Sequence, residues 1–261
     1  MSGFPDEALT RDAFLGGRLR LWQPRVGYRA AIDPVLLAAF VPAAPGARAL
    51  DLGCGAGTAA LCLGARVPSL DLHGLEIQPA YAELARRNAA ANEVPLEVHD
   101  GDLRRPPPDL RAMSFDLVLT NPPYHPETAS PPSDAGRDVA HREGGAGLAA
   151  WIDAGLRRLR PGGTLALIHL AARLGEILAA LEGRAGSVEI LPVTPRAERP
   201  AHRILVRARK GARAPLRLWP PLTLHQGIAD GNGGDSYTEQ AQQVLKRCGA
   251  LLLDTRISSI D

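Results

Sequence analysis

Short apolar runs alternate with longer amphipathic segments along most of the chain. Arg48–Leu52, residues 72–77 and residues 115–119 are apolar runs bounded by turn residues, which is typical of buried strands. Residues 58–65 and 79–92 lie between them and have the pattern of helices. Strands separated by helices of this length predict an α/β fold with a mostly parallel, seven-stranded sheet and helices on both faces.

The flanking segments extend this pattern in both directions. A hairpin is predicted over residues 14–23, and a helix over residues 28–40 with Asp33 as its cap and Pro34 in its first turn. Further strands are predicted at 96–98, 164–170, 188–193 and 204–209, and further helices at 147–159, 171–181 and 238–248. Residues 125–141 are rich in Pro, Ser, Asp and Gly, which predicts a mobile loop. We expect an N-terminal extension (1–45), a ligand-binding domain (46–211) and a C-terminal tail packed on it (212–261).

Composition narrows the class of protein. The chain has 261 residues, is 45% hydrophobic, and has a formal net charge of +2, so its overall charge does not indicate a nucleic-acid partner. The first residues lack the apolar core of a signal peptide, and no apolar run is long enough for a membrane span. We therefore expect a cytoplasmic protein without a membrane partner. The three cysteines have no metal-ligand spacing, so no metal site is expected.

A glycine-rich turn follows the strand Arg48–Leu52. Residues 51–57 read DLGCGAG, with glycines at alternate positions. Glycine allows positive φ and a close approach of backbone to a ligand, and the next helix offers unpaired N–H groups at its start. The spacing is GxGxG, whereas the fingerprint of dinucleotide-binding proteins is GxGxxG. The spacing therefore disfavours NAD as the cofactor. Glu76 ends the next strand, where a carboxylate can accept hydrogen bonds from both hydroxyls of a ribose.

The segment Asn121-Pro122-Pro123-Tyr124 follows a strand directly. Its prolines lack N–H donors, so their carbonyls serve a ligand as acceptors only. The Asn121 side-chain oxygen and the Pro122 carbonyl can accept both hydrogens of an exocyclic amino or amide nitrogen, which favours a more tetrahedral nitrogen with its lone pair available. Tyr124 can stack on a planar substrate. These features predict a site that positions a nitrogen carrying two hydrogens as a nucleophile.

Together these motifs resemble those of the class I S-adenosylmethionine-dependent amino-methyltransferases. The resemblance implies a Rossmann-like fold and S-adenosyl-L-methionine as cofactor, with Asp102 receiving the adenine amino group between Ile77 and Leu103. The cofactor-binding residues it implies are Asp51, Gly53, Cys54, Gly55, Gly57, Glu76, Ile77, Asp102, Leu103 and Asn121. The catalytic residues it implies are Asn121, Pro122, Pro123 and Tyr124.

The flanks narrow the resemblance further. Residues 27–37, 200–211, 215–216, 222–225 and 237–238 resemble segments of bacterial tRNA adenine-N6-methyltransferases that modify a valine tRNA. This implies a tRNA substrate, methylated on an adenosine near the anticodon. The residues expected to contact it are Arg29, Asp33, Tyr124, His125 and Arg203. Additional candidate phosphate contacts are Arg18, Arg20, Arg25, Arg207, Arg209 and Lys210.

Several alternatives stay open at this point. A protein glutamine N5-methyltransferase acting on a translation factor requires the same two-donor geometry, although such enzymes usually carry a larger N-terminal domain. DNA adenine and rRNA guanine-N2 enzymes share the core motifs. A non-catalytic methyltransferase-like module that binds RNA or protein is a further possibility, which the intact motifs disfavour. A monomer and a homodimer are equally compatible with the sequence.

Overall fold

The protein, described by a computed structural model, is an α/β structure. The described residues are 3–124, 146–226, 236–251 and 253. Their strands are β1 (Leu9–Phe14), β2 (Leu19–Pro24), β3 (Arg48–Leu52), β4 (Asp71–Glu76), β5 (Glu97–Asp100), β6 (Phe115–Thr120), β7 (Leu159–Leu170), β8 (Ala185–Thr194), β9 (Arg203–Lys210), β10 (Arg217–Leu218), β11 (Leu222–Thr223), β12 (His225–Gln226) and β13 (Ser236–Tyr237). Their α-helices are α1 (Asp33–Phe40), α2 (Thr58–Arg66), α3 (Pro79–Ala91), α4 (Pro108–Ala112), α5 (Leu148–Arg158), α6 (Leu174–Leu181) and α7 (Glu239–Leu245).

The sheet at the centre has the strand order β10–β8–β9–β7–β6–β3–β4–β5, and β11 also pairs with β8. All its pairs are parallel except those that β9 makes with β7 and β8. The prediction of a mostly parallel sheet is confirmed. The described part of the chain has nine strands in this sheet, two more than predicted, because β10 and β11 have two residues each and leave no periodic pattern in the sequence.

Strand β3 lies between β4 and β6, so the order of the strands along the chain reverses there. The loops that leave the carboxyl ends of these strands diverge to opposite sides of the sheet and leave a crevice between them. The fold therefore puts the glycine-rich turn after β3 and the Asn-Pro-Pro-Tyr segment after β6 at the same edge.

Apolar side chains cover both faces of the sheet. On one face α1, α2 and α7 pack with the apolar side of the β1–β2 hairpin, around fully buried residues such as Leu21, Leu37 and Leu61. On the other face α5 and α6 pack on the sheet around Phe115 and Ile152. The site at the sheet edge therefore rests on elements that are fixed from both sides.

The hairpin is attached to α3 by two asparagines. Asn88 accepts a hydrogen bond from the Trp22 N–H (2.7 Å) and donates to the Trp22 carbonyl (3.0 Å). Asn92 makes the same pair of bonds to Arg20, at 2.8 and 3.1 Å. Four helical residues advance about 6 Å and two strand residues about 6.6 Å, so side-chain amides four residues apart match alternate residues of β2. The two amides act as a short partner strand for β2.

The first helix differs from its prediction. It begins at Asp33, so residues 28–32 are not helical, and Ile32 occupies the cap position without a side-chain cap bond. The Asp33 carboxylate instead accepts hydrogen bonds from Tyr124 and Arg203. The prediction that Asp33 caps this helix is therefore wrong, because two partners distant in sequence bind its carboxylate.

Other differences are local. Helix α4 begins at the last of three consecutive prolines and is not predicted from the sequence. Strand β7 begins at Leu159, five residues before the predicted strand 164–170. The predicted loop 125–141 lies outside the described residues, and the division into three parts stays a prediction. Among the helices described, none combines the length and apolar character needed to cross a membrane.

Candidate active site

A cavity of about 510 Å³ opens at the carboxyl ends of β3, β4, β5 and β6. Nearly all the site residues predicted from the sequence line it: Asp51, Gly53, Cys54, Gly55, Glu76, Ile77, Asp102, Leu103, Asn121, Pro122, Pro123, Tyr124, Arg29, Asp33 and Arg203. Gly57 lies just behind this lining as the residue that precedes α2. His125 lies outside the described residues.

The glycine-rich turn has the backbone conformation that its sequence predicts. Gly53, Gly55 and Gly57 have φ of 75°, 54° and 83°, a region that favours glycine. At Gly53 space is restricted as well, since a Cβ there would lie 2.5 Å from the indole ring of Trp151. Cys54 is buried, and its thiol lies against Gly74 in the core. The turn thus presents backbone, and not side chains, to the cavity.

Two buried carboxylates face the cavity from the strand ends. Burial raises the pKa of Asp51 to about 7, and the nearby Glu76 carboxylate adds to the effect. Burial also raises the pKa of Glu76, although its oxygens accept hydrogen bonds from the Gly55 and Gln78 N–H groups at 2.9 Å. Asp51 accepts one from Ala60, at 3.1 Å. Within the described residues neither carboxylate has an ion-pair partner.

Two further polar groups in the lining are buried without a hydrogen-bond partner among the described residues: the Thr58 hydroxyl and the Trp151 indole N–H. Buried polar groups in proteins are usually paired, so these exceptions indicate a ligand or water. Two uncompensated carboxylates favour a ligand with positive charge. The lining therefore fits a cofactor such as S-adenosylmethionine, which carries a sulfonium, an ammonium and ribose hydroxyls.

The other predicted cofactor contacts lie at the far end of the cavity. Ile77 is 54% exposed, which is unusual for an isoleucine and fits a side chain that packs on a ligand. The Asp102 carboxylate is bound by Arg104, whose Nη2 lies 2.6 Å from Oδ2, and this contact lowers the pKa of Asp102. An adenine amino group at Asp102 would share the carboxylate with Arg104.

The Asn-Pro-Pro-Tyr segment is held from several sides. The Thr120 hydroxyl donates to the Leu52 carbonyl at 2.7 Å, which fixes the end of β6 to the end of β3. His169 is fully buried and lies 3.2 Å from the Pro123 carbonyl, and burial lowers the pKa of this histidine to about 4. The neutral imidazole then donates through Nε2. The Pro123 carbonyl therefore already accepts a hydrogen bond from within the protein.

A network of side chains fixes Asn121 and Tyr124. The Tyr124 hydroxyl lies 2.5 Å from the Asp33 carboxylate and 3.1 Å from Asn121 Oδ1. The Asn121 amide donates from Nδ2 to the Tyr28 hydroxyl at 3.3 Å. Burial and the Asp33 charge raise the pKa of Tyr124, so its hydroxyl stays protonated and gives its one hydrogen to the closer, charged acceptor. Asn121 Oδ1 keeps its capacity to accept.

The arginines proposed as substrate contacts have structural partners. Arg203 Nε donates to Asp33 at 3.1 Å, and its guanidinium lies 4.5 Å from the centre of the Tyr124 ring. It covers one face of that ring, and the His169 ring packs against Tyr124 at 5.2 Å between ring centres, nearly perpendicular to it. Arg29 binds Asp12 at 2.5 Å and the Pro24 carbonyl at 2.7 Å. Both arginines line the cavity, but their guanidinium groups are already engaged.

Three other cations predicted near the substrate lie toward the opposite edge of the sheet. Because β9 runs antiparallel, Arg203 is level with the end of β7, whereas Arg209 pairs with Thr164, six residues before that end. Arg207 binds Glu189 and the Phe40 carbonyl, and Lys210 binds the Leu159 carbonyl at 2.6 Å. The expectation that Arg207, Arg209 and Lys210 join Arg203 at the substrate is corrected by this placement.

Sequence reasoning missed Tyr28 and Trp151. Tyr28 precedes α1, and the Tyr81 hydroxyl fixes its backbone by accepting from its N–H and donating to its carbonyl. Trp151 lies on α5 and reaches the turn at Gly53. Neither residue belongs to a recognisable motif. Both reach the cavity from elements that are distant in sequence from the glycine turn and the Asn-Pro-Pro-Tyr segment. In the sequence, Tyr28 contributes only to the resemblance of residues 27–37.

Comparison with known proteins agrees with this geometry. The family model described as methyltransferase small domain matches residues 30–191. A Porphyromonas gingivalis protein named tRNA1(Val) (adenine(37)-N6)-methyltransferase is 33% identical over 174 residues, which cover 64% of this chain and 68% of that protein. An Agrobacterium tumefaciens structure titled as a predicted O-methyltransferase is 29% identical with a TM-score of 0.69, covering 85% of this chain and 99% of that one.

A T. thermophilus 16S rRNA N2 methyltransferase, solved with AdoMet and guanosine, has a TM-score of 0.55 at 24% identity and covers 77% of this chain and 50% of its own. At that identity it shows the fold. The family model covers well over half of the chain. The order of the strands, the glycine turn and a cavity suited to a positively charged ligand agree with this family. The chain therefore belongs to the methyltransferase small domain family and is a class I methyltransferase that uses S-adenosylmethionine.

Proposed function

We propose that the protein methylates N6 of an adenosine in tRNA, close to the anticodon. The observation that carries this proposal is the position of Asn121. Asn121 lines the cavity together with the glycine turn, its Nδ2 donates to Tyr28, and the hydrogen of Tyr124 is directed to Asp33. A fixed acceptor at this point suits an amino nitrogen that must present its lone pair to the cofactor.

The residues of the chain position the substrate for methyl transfer. Asn121 Oδ1 and the Pro122 carbonyl accept the two hydrogens of the amino group, and Tyr124 packs on the adenine with the ring face that Arg203 leaves free. When bound, S-adenosylmethionine supplies a methyl group on a sulfonium, which is electrophilic enough for an amino nitrogen. One proton of the methylated nitrogen leaves to water, so a strong general base is not required. Positioning accounts for most of the catalysis.

Two observations favour adenine in tRNA over a glutamine side chain, which carries the same two hydrogens. The P. gingivalis relative is named for adenine in a tRNA, and its matched region includes more than the core motifs. Tyr124 offers an aromatic face, which a purine fills and a glutamine amide does not. An oxygen nucleophile, which the A. tumefaciens title indicates for that protein, brings at most one hydrogen and leaves one of the two acceptors unpaired.

The test is transfer of a labelled methyl group from S-adenosylmethionine to bulk tRNA and, separately, to total cell protein. We expect label in tRNA, and nucleoside analysis of the product should identify it as N6-methyladenosine. Glu198→Gln, which changes an exposed side chain in the loop before β9, serves as an active control. Label recovered only in protein glutamine, or on a hydroxyl, would overturn the proposal.

A further inference from the structure

A cluster of histidines and carboxylates lies on the sheet away from the site just described. His73 is on β4 and His99 on the edge strand β5, and both side chains are buried, at 3% and 6% exposed. His73 Nδ1 lies 3.2 Å from His99 Nε2. The register pairs His73 with Glu97, whose carboxylate lies 3.6 Å from His73 Nδ1 and 3.8 Å from His99 Nε2.

The outer nitrogen of each ring faces a carboxylate. His73 Nε2 lies 3.0 Å from Asp71 Oδ1, and His99 Nδ1 lies 2.9 Å from Asp109 Oδ2. A carboxylate only accepts, so each outer nitrogen must carry the hydrogen of its ring. In two neutral rings both inner nitrogens then present lone pairs to each other across 3.2 Å. Such a contact is repulsive unless a proton or a metal ion lies between them.

The distances match those of a zinc site. With bonds of about 2.0–2.1 Å to nitrogen and oxygen, the ligands of a tetrahedral zinc ion lie about 3.3–3.4 Å apart. The two nitrogens lie 3.2 Å apart, Glu97 Oε2 lies 3.6 Å from His73 Nδ1, and Glu97 Oε1 lies 3.8 Å from His99 Nε2. The Glu97 side chain is 60% exposed, so a small rotation can bring one of its oxygens close to both nitrogens. Histidine ligands of zinc commonly donate their other N–H to a carboxylate, as both rings do here.

The charges around the cluster agree with a cation. Three carboxylates surround the two imidazoles, and among the described residues only Asp71 also has an arginine partner, Arg48, at 2.5 Å. His73 packs edge-on against Phe115, 5.4 Å between ring centres, and of the three proposed ligands only Glu97 is exposed, so an ion would enter from the side of Glu97. An ion entering there keeps one coordination position for water.

We propose that His73 Nδ1, His99 Nε2 and the Glu97 carboxylate bind one divalent transition-metal ion, of which zinc fits best, with water as the fourth ligand. The ion joins the edge strand β5 to β4, and through Asp109 it also fixes α4. Its role is structural, because none of its three ligand residues lines the cavity, which on this side begins at Gly101, just after β5.

The test uses the full chain without an affinity tag, freed of metal by a chelator and titrated with zinc chloride in a calorimeter. We expect one zinc per chain and a rise in Tm on zinc addition. Glu97→Gln should weaken binding at least tenfold while leaving the fold intact, since its side chain is exposed. Asp109→Asn should weaken it about tenfold. Glu198→Gln is the matched control and should bind like the wild type.

Cobalt gives an independent readout. Co²⁺ added to the metal-free wild type should produce the intense visible absorption of a four-coordinate site, and His99→Gln should lose it. A folded wild type that binds neither ion would overturn the proposal and leave a shared proton between the rings as the explanation of their contact. Zinc binding of equal strength in the wild type and in Glu97→Gln would overturn it as well, since the ion would then be bound elsewhere.

Discussion

At the scale of single residues, the substrate site depends on the direction of one hydrogen, that of the Tyr124 hydroxyl. Tyr124 has one hydroxyl hydrogen and two acceptors within reach, Asp33 and Asn121. The charged acceptor is closer, so the neutral one stays available for a substrate. Asp33, which the sequence pattern predicts to be a helix cap, thus determines the direction of the Tyr124 hydroxyl hydrogen.

Asn121→Ala removes the proposed side-chain acceptor of the substrate amino group. We expect kcat to fall at least about a hundredfold, which is the usual cost of losing one well-placed transition-state hydrogen bond. Affinity for S-adenosylmethionine, measured by calorimetry, should change little, because the glycine turn and Glu76 are untouched. A fully active variant would refute the assigned role.

Asp33→Ala tests the direction of the tyrosine hydrogen. Without the carboxylate, Tyr124 turns its hydrogen to Asn121 Oδ1, 3.1 Å away, and competes with the substrate. We expect kcat to fall about tenfold with cofactor affinity unchanged. Combining Asp33→Ala with Tyr124→Phe removes the competing hydroxyl and should recover part of the loss, measured as kcat on tRNA. A double variant slower than both single ones would contradict this account.

At the scale of elements, the hairpin and α3 are joined by side chains in place of a strand. Asn88 is fully buried and makes three hydrogen bonds, to Trp22 N–H, the Trp22 carbonyl and the Ala56 carbonyl. The last of these links the hairpin to the glycine turn. Residues 79–92 give a helical pattern in the sequence, yet nothing in that pattern shows that two of its asparagines bind a strand.

Asn88→Ala should therefore lower the free energy of unfolding by about 2–4 kcal/mol, since it leaves three backbone groups without partners. Asn92→Ala is the matched control: its bonds are near the surface, so we expect about 1 kcal/mol. Urea denaturation followed by circular dichroism measures both. Equal losses of unfolding free energy in the two variants would show that the burial of Asn88 does not determine its contribution to stability.

At the scale of the whole molecule, the sequence predicts the parts that repeat a regular pattern. The strands Arg48–Leu52 and Phe115–Thr120 are found nearly as predicted because apolar runs and adjacent turn residues mark them. The lining of the cavity is largely predicted too, since the carboxyl ends of parallel strands meet at one edge. What the sequence does not show are contacts across the fold, such as Tyr28 with Asn121 or His73 with His99.

Stability of the whole chain should depend on Asp51. Its pKa is raised to about 7 by burial, against about 3.9 when unfolded. Between these values the folded state holds a proton that the unfolded state has lost, so the stability this group contributes is complete below pH 4 and is lost as the pH rises through 7. We expect Asp51→Asn to be more stable than the wild type at pH 8 and to gain little at pH 4.

The same titration predicts that affinity for S-adenosylmethionine rises between pH 5.5 and 7.5, because the ionised carboxylate favours a cation. Calorimetry at several pH values measures this, and the slope should be smaller in Asp51→Asn. An equal slope in both proteins would show that another group is responsible.

The bond between Arg203 and Asp33 joins residues 170 positions apart. During synthesis at about 5–20 residues per second, roughly 10 to 30 s pass between the two. Until β9 has left the ribosome and inserted between β7 and β8, Tyr124 lacks the guanidinium that covers its ring. A nascent chain thus has a complete glycine turn well before it has a supported substrate site. Cofactor binding can therefore precede completion of the proposed substrate site during translation.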